Sequence, residues 1–168
     1  ANPTLRTTKA FYDAATADTN DMRGKLWFRV INPGESNEGY TVAKYDYSYM
    51  DVPVVYYTRL LLIKAECLWE AGDYPGCITE LNKLRTRAGV TLYGSFGAND
   101  SYSALHFERR MELCFEGDRI FQLKRQAVLG RINKIRNAPW DCNGLAIQFP
   151  NSEGTGGGFV FNPEGGCN

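Results

Sequence analysis

The stretch LLIKAECLWEAGDYPGCITELNKLRTRAG, residues 61–89, decides the fold of this chain. Its first half carries apolar residues at helical spacing, namely Leu61, Leu62, Ala65, Leu68 and Trp69. Gly72 then ends that helix, and Asp73 is a good N-cap for a second helix with Pro75 near its first turn. Basic residues before Gly89 complement the negative end of the second helix, and Gly89 is the expected stop. The stretch therefore predicts a helical hairpin.

This hairpin resembles a tetratricopeptide repeat. The turn Gly72-Asp73-Tyr74 is followed, three positions after the tyrosine, by the small residue Cys77. The small Ala65 stands on the first helix at the position where it would meet Cys77. Such a repeat is about 34 residues long, and several copies are needed to bury a continuous core. One clear copy is present in the sequence, so we expect partner repeats in degenerate sequence or outside the chain.

A second block, ERRMELCFEGDRIFQLKR at residues 108–125, predicts two more helices. The first covers Ser103 to Glu116 and is broken by Gly117. The second runs from Arg119 to Leu129, where Asp118 can cap it. From residue 141 onward the polar, glycine-rich sequence predicts a long irregular tail that packs over the helices.

The residues before and between these blocks predict mostly irregular structure. Lys9 to Ala17 predicts a short helix, Lys25 to Ile31 a strand, and Asn32 to Gly39 a loop whose turns come from Pro and Gly. Residues 91–101 predict a second loop. The sequence thus divides into a loop-rich lead-in, a helical core and an irregular tail.

The composition fits one globular domain and disfavours several classes of protein. A chain of 168 residues, 43% of them hydrophobic, is long enough to bury a core. Lys plus Arg and Asp plus Glu number 19 each, so the chain lacks the basic excess of a nucleic-acid binder. No apolar run approaches the ~20 residues of a membrane-spanning helix. The N-terminus has no apolar signal-peptide core, so we expect a removed leader or a piece of something longer.

The five cysteines fall into two groups, neither with the spacing of a zinc site. Cys67, Cys77 and Cys114 lie in helical patterns, which predicts small buried hydrophobic residues. Cys142 and Cys167 lie in polar, glycine-rich sequence, which predicts a disulfide between them in an oxidising compartment.

Three carboxylates of the predicted helix at Ser103–Glu116 share one face, because Glu108, Glu112 and Glu116 are spaced four residues apart. Paired carboxylates can act in general acid–base catalysis. The many nearby guanidinium groups would instead hold the carboxylates ionised rather than poised near neutral pH. We interpret the region as a structural ion-pair network. Its predicted members are Glu108, Arg109, Arg110, Glu112, Glu116, Arg119 and Arg125.

No local signature predicts a catalytic residue, a metal site or a cofactor. His106 is the single histidine, and nothing near it in sequence pairs it with a nucleophile, so we expect a surface or helix-packing residue. The run GTGGG at residues 154–158 is not followed by the Lys-Ser/Thr of a phosphate-binding loop.

Three tyrosines, Tyr45, Tyr47 and Tyr49, alternate along the chain and lie on one side if the segment is extended. Such a row is either an aromatic platform for a ligand or one edge of the core. The second use is the commoner, since aromatic residues are routinely buried.

Together the two blocks resemble the C-terminal part of the SusD/RagB family of nutrient-binding outer-membrane lipoproteins. The family has A-E in a long leucine-rich helix, as in Ala65-Glu66, and then a stretch close to L-N-x-x-R-x-R-A-G, as in residues 81–89. It continues with E-R-R-x-E-L-x-x-E-G-x-R-x-x-D-L-x-R, in register with residues 108–125. Asp21-x-Arg23 resembles a family D-x-R pair.

The end of the chain, with Pro150-x-x-Glu153 and Asn162-Pro163, is also similar to the family. Two departures put individual ion pairs in doubt. The aspartate expected before Leu123 is Gln122, and the Arg-x-x-Glu usual at the start of the long helix is YYTR at residues 56–59.

The resemblance implies a mainly α fold, an α–α superhelix of tetratricopeptide-like repeats with long irregular loops and a loop-rich C-terminal tail. Family members are much longer. Residues 1–168 therefore look like a single C-terminal fragment of a SusD-like domain, with a lead-in at residues 1–53, a helical core at 54–129 and a tail at 130–168.

The resemblance also implies a function without catalysis and without nucleic acid. The protein would be a surface-exposed lipoprotein of the outer membrane in a Bacteroidetes-type bacterium, with its lipid anchor outside this chain. It would capture an oligosaccharide and deliver it to a SusC-like TonB-dependent transporter, over which it acts as a lid. The alternatives are an oligopeptide-binding member of the family and a helical-repeat scaffold that binds only protein partners.

Family ligand contacts come mostly from loops outside the matched motifs, so none can be carried over. The predicted ligand contacts are therefore aromatic residues in loop-like or edge sequence, namely Tyr45, Tyr47 and Trp140.

Overall fold

The computed structural model describes residues 6–46 and 54–145 of the chain. It divides into two compact units, residues 1–115 and residues 116–168. The described part of the first unit holds five α-helices and a β-hairpin, and that of the second holds one α-helix, a short two-stranded ribbon and a 3-10 turn. The prediction of a mainly α-helical fold is confirmed. The predicted boundaries at residues 53 and 129 concern sequence character and stay a prediction.

The predicted helical hairpin consists of α3 (Tyr57–Glu70) and α4 (Tyr74–Ala88). The side chain of Asp73 caps α4 by accepting a hydrogen bond from the Gly76 amide at 2.9 Å. At the other end Gly89 adopts a left-handed conformation, with φ of +75°, and the helix closes through its amide and that of Val90. Local sequence signals thus fix both ends of α4.

A third long helix, α5 (Ala98–Glu112), packs against both helices of the hairpin. The apolar core between the three helices contains the two small residues of the repeat pattern, and both Ala65 and Cys77 are fully buried in it. The core residues are Leu61, Leu62, Ala65, Cys77, Ile78, Leu81, Leu84, Ala104, Leu105 and Leu113.

The N-terminal part of the first unit packs on a second, smaller apolar cluster. It consists of α1 (Lys9–Thr16), α2 (Met22–Trp27), β1 (Phe28–Ile31) and β2 (Gly39–Val42). The two strands pair antiparallel, with Phe28 opposite Val42 and Ile31 opposite Gly39. The cluster combines residues of α1 and β1 with two residues from the end of α5 and the turn after it, and its members are Phe11, Ala15, Phe28, Met111 and Cys114.

The structure corrects several details of the sequence-based prediction. Only the second half of the strand predicted over Lys25–Ile31 is extended, because the Asp21 carboxylate accepts a hydrogen bond from the Arg23 amide and starts α2. The helix predicted from Ser103 starts at Ala98 instead, where the indole of Trp69 donates a 3.0 Å hydrogen bond to the Ala98 carbonyl. Cys67, expected to be buried, is exposed.

Two residues in left-handed conformations, Phe115 and Gly117, follow the end of α5 and separate it from the next helix. The helix predicted to reach Glu116 therefore ends at Glu112. In the second unit, α6 (Asp118–Val128) is followed by β3 (Lys134–Ile135) and β4 (Ala138–Pro139). The 3-10 turn covers Asn143–Leu145. Within residues 6–46 and 54–145, every helix is too short or too polar to span a lipid bilayer.

Helices α1 and α2 approach each other so closely at Gly24 that substitution by alanine, which adds one methyl group, tests the contact. A Cβ atom on Gly24 would lie 2.5 Å from the carbonyl oxygen of Ala15, which is backbone and cannot rotate away. We expect Gly24→Ala to destabilise the protein by about 1–3 kcal/mol through overpacking. Alanine favours a helix over glycine by roughly 1 kcal/mol. We expect the overpacking cost to exceed this gain, so that urea denaturation shows a lower free energy of unfolding for the variant.

The matched control is Gly94→Ala, since a Cβ on Gly94 would meet no atom within 4 Å. Its free energy of unfolding should stay within about 0.5 kcal/mol of wild type. Equal stability of the two variants would contradict the close approach of α1 and α2.

Candidate functional site

The most highly charged buried site in the described chain centres on the guanidinium group of Arg23, in the first turn of α2. Its Nη1 atom donates to Glu108 Oε2 at 2.6 Å and to Glu112 Oε1 at 2.9 Å. Its Nη2 atom donates to Asp21 Oδ2 at 2.8 Å. Only 3% of the Arg23 side chain is exposed, so one cation and three carboxylates share a space with little water.

Two arginines from the last turn of α4 complete this buried ion-pair network. Arg85 Nη1 donates to Glu108 Oε1 at 2.7 Å, and Arg87 Nη2 donates to Glu112 Oε2 at 2.5 Å. Both oxygens of each glutamate are therefore engaged by guanidinium groups. Three carboxylates face three guanidinium groups, and charge-assisted hydrogen bonds of this kind are the strong ones.

Helix geometry explains why these residues meet. Glu108 and Glu112 are four residues apart on α5 and so share its face. Arg85 and Arg87 lie at the C-terminal end of α4, where cations also complement the helix dipole. The capping residue Asp21 also fixes Arg23. Its carboxylate accepts hydrogen bonds from both the backbone amide and the guanidinium group of Arg23. The network thus joins α2, α4 and α5.

The loop after α4 is fastened to the same network through Tyr93. Its hydroxyl donates to Glu108 Oε1 at 2.9 Å, and the Arg85 guanidinium lies 3.9 Å from the centre of its ring. The side-chain amide of Asn82 donates to the Tyr93 carbonyl and accepts from the Tyr93 amide, at 3.0 and 2.8 Å. Asn82 and Tyr93 therefore hold residues 90–97 against α4.

The electrostatic consequences follow from burial and pairing. Burial raises the pKa of the Asp21 carboxyl, but the hydrogen bonds and charge of Arg23 bring that pKa below its ordinary value. Burial lowers the pKa of Arg23, yet its carboxylate partners raise that pKa well above the usual one. For Tyr93, burial and the charge of Glu108 both raise the pKa of the hydroxyl, which stays a neutral donor.

The structure places the members of the predicted network in different surroundings. Glu108 and Glu112 are in the Arg23 network, whereas Arg109 pairs with Glu66 of α3 at 3.0 Å. Arg110 lies over the ring of Phe11, 4.0 Å from its centre. The other three members lie in the second unit, where Arg119 donates to Gln122 at 2.9 Å; these members are Glu116, Arg119 and Arg125.

Arg23, Arg85 and Arg87 are network members that the sequence did not predict, although all three fall in the motifs that resemble the SusD/RagB family. The basic residues at 85–87 predict a helix end, and nothing in their spacing indicates buried partners. Pairs such as Arg23 and Glu112, 89 positions apart, have no local sequence signature.

Two of the three predicted ligand contacts lie in different compact units of the structure. Tyr45 lies in a turn of the first unit with its ring 5.5 Å from the Lys44 ammonium group. Trp140 is half-buried in the second unit, and Tyr47 lies outside the described residues. These three contacts stay a prediction.

Cys142 is disulfide-bonded, whereas Cys67, Cys77 and Cys114 are free thiols. Burial raises the pKa of the Cys77 thiol to about 11, which keeps it protonated and unreactive. Cys167 lies outside the described residues, so its pairing with Cys142 stays a prediction.

A cleft of about 260 Å³ opens between α1 and α2. Its lining combines two aromatic rings with hydroxyl and charged groups, and consists of Tyr12, Thr16, Asp18, Thr19, Gly24, Lys25 and Phe28. Tyr12 is half-buried and contacts Phe28 edge to face, with ring centres 6.4 Å apart. The cleft therefore offers an apolar wall and a polar rim, which is the usual make-up of a small-molecule site.

A half-buried row of aromatic residues, Trp69, Tyr102 and His106, has ring centres 4.0 to 5.0 Å apart. Trp69 also packs on the core of the helical hairpin, so this row is a packing feature. In the part of the chain that the structure describes, no three His, Cys, Asp or Glu side chains lie close enough to hold a metal ion.

The buried network predicts a large difference between two arginine substitutions. Arg23→Met leaves three buried carboxylates without their shared cation and should cost about 3–5 kcal/mol of stability. Arg29→Met removes an ion pair with Asp46 in which both side chains are about 60% exposed, and should cost at most about 1 kcal/mol. Urea denaturation measures both, and similar losses would show that the network contributes nothing beyond a surface pair.

The lowered pKa of Asp21 predicts a pH dependence. The pKa of Asp21 in the folded protein lies below the unfolded value of about 3.9. The contribution of its carboxylate to the free energy of unfolding is therefore fully present above about pH 3.9 and is lost as the pH falls through the folded pKa. Asp21→Asn keeps a good N-cap but removes the charge. The stability difference between wild type and variant should shrink between about pH 5 and pH 2. A difference that is constant with pH would contradict the assignment.

Comparison with known proteins agrees with the sequence motifs. The model of the SusD family matches residues 4–151 of this chain. A SusD-like protein from Bacteroides fragilis NCTC 9343, known from a 2.70 Å crystal structure, is 27% identical in sequence, with a TM-score of 0.46. That match covers 54% of this chain and 20% of the other, so the chain spans about a fifth of the length of that relative. The curated proteins contain no match. Because the family model spans most of its length, this chain belongs to the SusD/RagB family.

Proposed function

We propose that this chain is part of a cell-surface protein that binds a nutrient, specifically an oligosaccharide, and delivers it to a TonB-dependent transporter. The observation that carries the proposal is the match to the SusD family over residues 4–151. A SusC-like transporter would be the partner. A lipid anchor outside this chain would hold the protein at the surface of the outer membrane.

The buried network argues against acid–base catalysis by its own carboxylates. Glu108 and Glu112 each engage two guanidinium groups, so their charges are already matched inside the fold. A general acid or base must exchange protons with a substrate, and paired carboxylates of this kind stabilise a geometry instead.

The α1–α2 cleft has side chains that suit a sugar. The ring of Tyr12 provides an apolar surface for the C–H face of a sugar ring. Thr19, Asp18 and Lys25 provide a hydroxyl, a carboxylate and an ammonium group at the rim, which match the hydroxyls of a sugar. Tyr45, Tyr47 and Trp140 are the competing predicted contacts for the same ligand.

An oligopeptide is the second candidate ligand. The observation that favours it is the presence of opposite charges, Asp18 and Lys25, in one cleft. The Asp18 carboxylate could bind the amino terminus of a short peptide, and the Lys25 ammonium group its carboxyl terminus. A neutral glycan has no charged groups and would use only hydrogen bonds to these side chains.

Calorimetric titration with a panel of neutral oligosaccharides and a panel of tetrapeptides tests the proposal. We expect saturable binding of at least one oligosaccharide. Tyr12→Ala should weaken it about tenfold, since an aromatic contact with its buried area is worth roughly 1–2 kcal/mol. Lys25→Ala, which removes an exposed side chain, should also weaken it. Tyr57→Ala, in which a 69% exposed tyrosine outside the cleft is removed, should leave the affinity unchanged.

The other outcomes separate the alternatives. Weakening by Tyr45→Ala or Trp140→Ala, with Tyr12→Ala neutral, would move the glycan away from the cleft. Binding of tetrapeptides alone would support the oligopeptide-binding alternative, and binding of neither panel would overturn nutrient capture by this chain.

A further inference from the structure

The cleft between α1 and α2 ends at the apolar core. Phe28, one of its lining residues, is only 5% exposed, and its ring contacts that of Phe11 edge to face with ring centres 5.6 Å apart. Both rings belong to the smaller apolar cluster of the first unit. A ligand that enters the cleft therefore meets packed side chains and cannot pass through to the other side.

Two helices and the turn between them bound the cleft on three sides. The α1 side carries Tyr12 and Thr16, which are four residues apart and share a face, and the connecting turn carries Asp18 and Thr19. On the other side α2 lies so close to α1 that a Cβ atom on Gly24 would be 2.5 Å from an α1 carbonyl oxygen. A ring in the middle of a glycan chain carries two glycosidic bonds and needs two exits, which three closed sides do not favour.

The volume of the cleft, about 260 Å³, suits one sugar ring. Pockets that hold drug-sized molecules measure about 300–1,000 Å³, so this cleft is smaller than the smallest of them. Of its two aromatic residues only Tyr12 is half-buried and offers a face for stacking, because Phe28 is covered by the core. Size and stacking surface thus both match a single ring.

The polar groups around the cleft have unused hydrogen-bonding capacity. Among the residues that the structure describes, the hydroxyls of Tyr12 and Thr19 and the ammonium group of Lys25 bond to no other group. The Asp18 carboxylate accepts one hydrogen bond, from the Asn20 amide at 2.8 Å, and can accept more. A terminal ring keeps one more free hydroxyl than an internal ring, so it can satisfy more of these groups.

We propose that the α1–α2 cleft binds one terminal ring of an oligosaccharide, with the remainder of the glycan chain in solvent. The proposal rests on nutrient binding at this cleft and adds which part of the ligand is bound. The ring stacks on Tyr12, and its hydroxyls bond to Asp18, Thr19 and Lys25. The affinity is therefore set by one ring and not by the length of the chain.

The dependence of the dissociation constant on chain length tests the proposal. The probes are glucose, galactose and mannose, each with its disaccharide and tetrasaccharide, titrated into the 168-residue chain by NMR because a single ring binds weakly. In a series that binds, the three dissociation constants should agree within about threefold. A groove with several sugar subsites would instead strengthen binding at least about tenfold from monosaccharide to tetrasaccharide.

Two substitutions at the rim test the location. Thr19→Val and Lys25→Met each remove a group with unused capacity, and each should weaken monosaccharide and tetrasaccharide by the same factor, about three- to tenfold. The matched controls are Thr91→Val and Lys134→Met, which change exposed residues outside the cleft and should leave both dissociation constants as in wild type. Urea denaturation should show that all four variants keep the wild-type fold, since all four side chains are exposed.

Three results would overturn terminal-ring binding while nutrient binding stands. The first is binding of tetrasaccharides without measurable binding of the monosaccharide. The second is an affinity that grows with each added ring. The third is equal affinities that neither Thr19→Val nor Lys25→Met changes, because the ring then lies elsewhere. Absence of binding in every series, by contrast, would overturn the proposed function together with this inference.

Discussion

The buried guanidinium group of Arg23 is the constraint on which the rest of the first unit depends. A buried cation is very unfavourable unless carboxylates and hydrogen bonds compensate it, and here Asp21, Glu108 and Glu112 do so together. These groups come from α2 and α5, and Arg85 and Arg87 add the end of α4. Displacing any one of these elements would leave a buried charge uncompensated, so the network ties the positions of α2, α4 and α5 together.

The same constraint acts on the cleft that we propose as the binding site. Arg23 is followed directly by Gly24 and Lys25, which line the α1–α2 cleft. On its other side, α2 is pressed against α1 where Gly24 approaches the Ala15 carbonyl. The cleft wall is therefore held between a rigid ion-pair network and a close backbone contact. A preformed wall of this kind lowers the entropy lost on binding, which is the general advantage of preorganisation.

The parts of the fold that the sequence predicted are those set by local chemistry. Asp73 and Gly89 mark the ends of α4 through capping and a left-handed turn, and both signals lie within a few residues of their effect. Ala65 and Cys77 were predictable because a repeat pattern encodes their contact. The partners of Glu108 and Glu112 were not, since charge density alone does not say which of many arginines is near. At the start of α5 the Ala98 carbonyl accepts a hydrogen bond from Trp69, a contact between residues distant in sequence that no local pattern predicts.

Helix α6 shows what an amphipathic pattern does not predict. The spacing of its residues predicts one polar and one apolar face, but it does not predict which face is buried. Here the polar face is inward, and its glutamines are satisfied at both ends of the helix. Gln122 accepts a hydrogen bond from Arg119 at 2.9 Å, and Gln126 accepts one from Arg131 at 3.1 Å. Buried amides with such partners are stable, and exposed Phe121 and Val128 gain nothing from water. The exposure of Phe121 and Val128 thus follows from the burial of the glutamine face, which the amphipathic pattern of α6 alone does not predict.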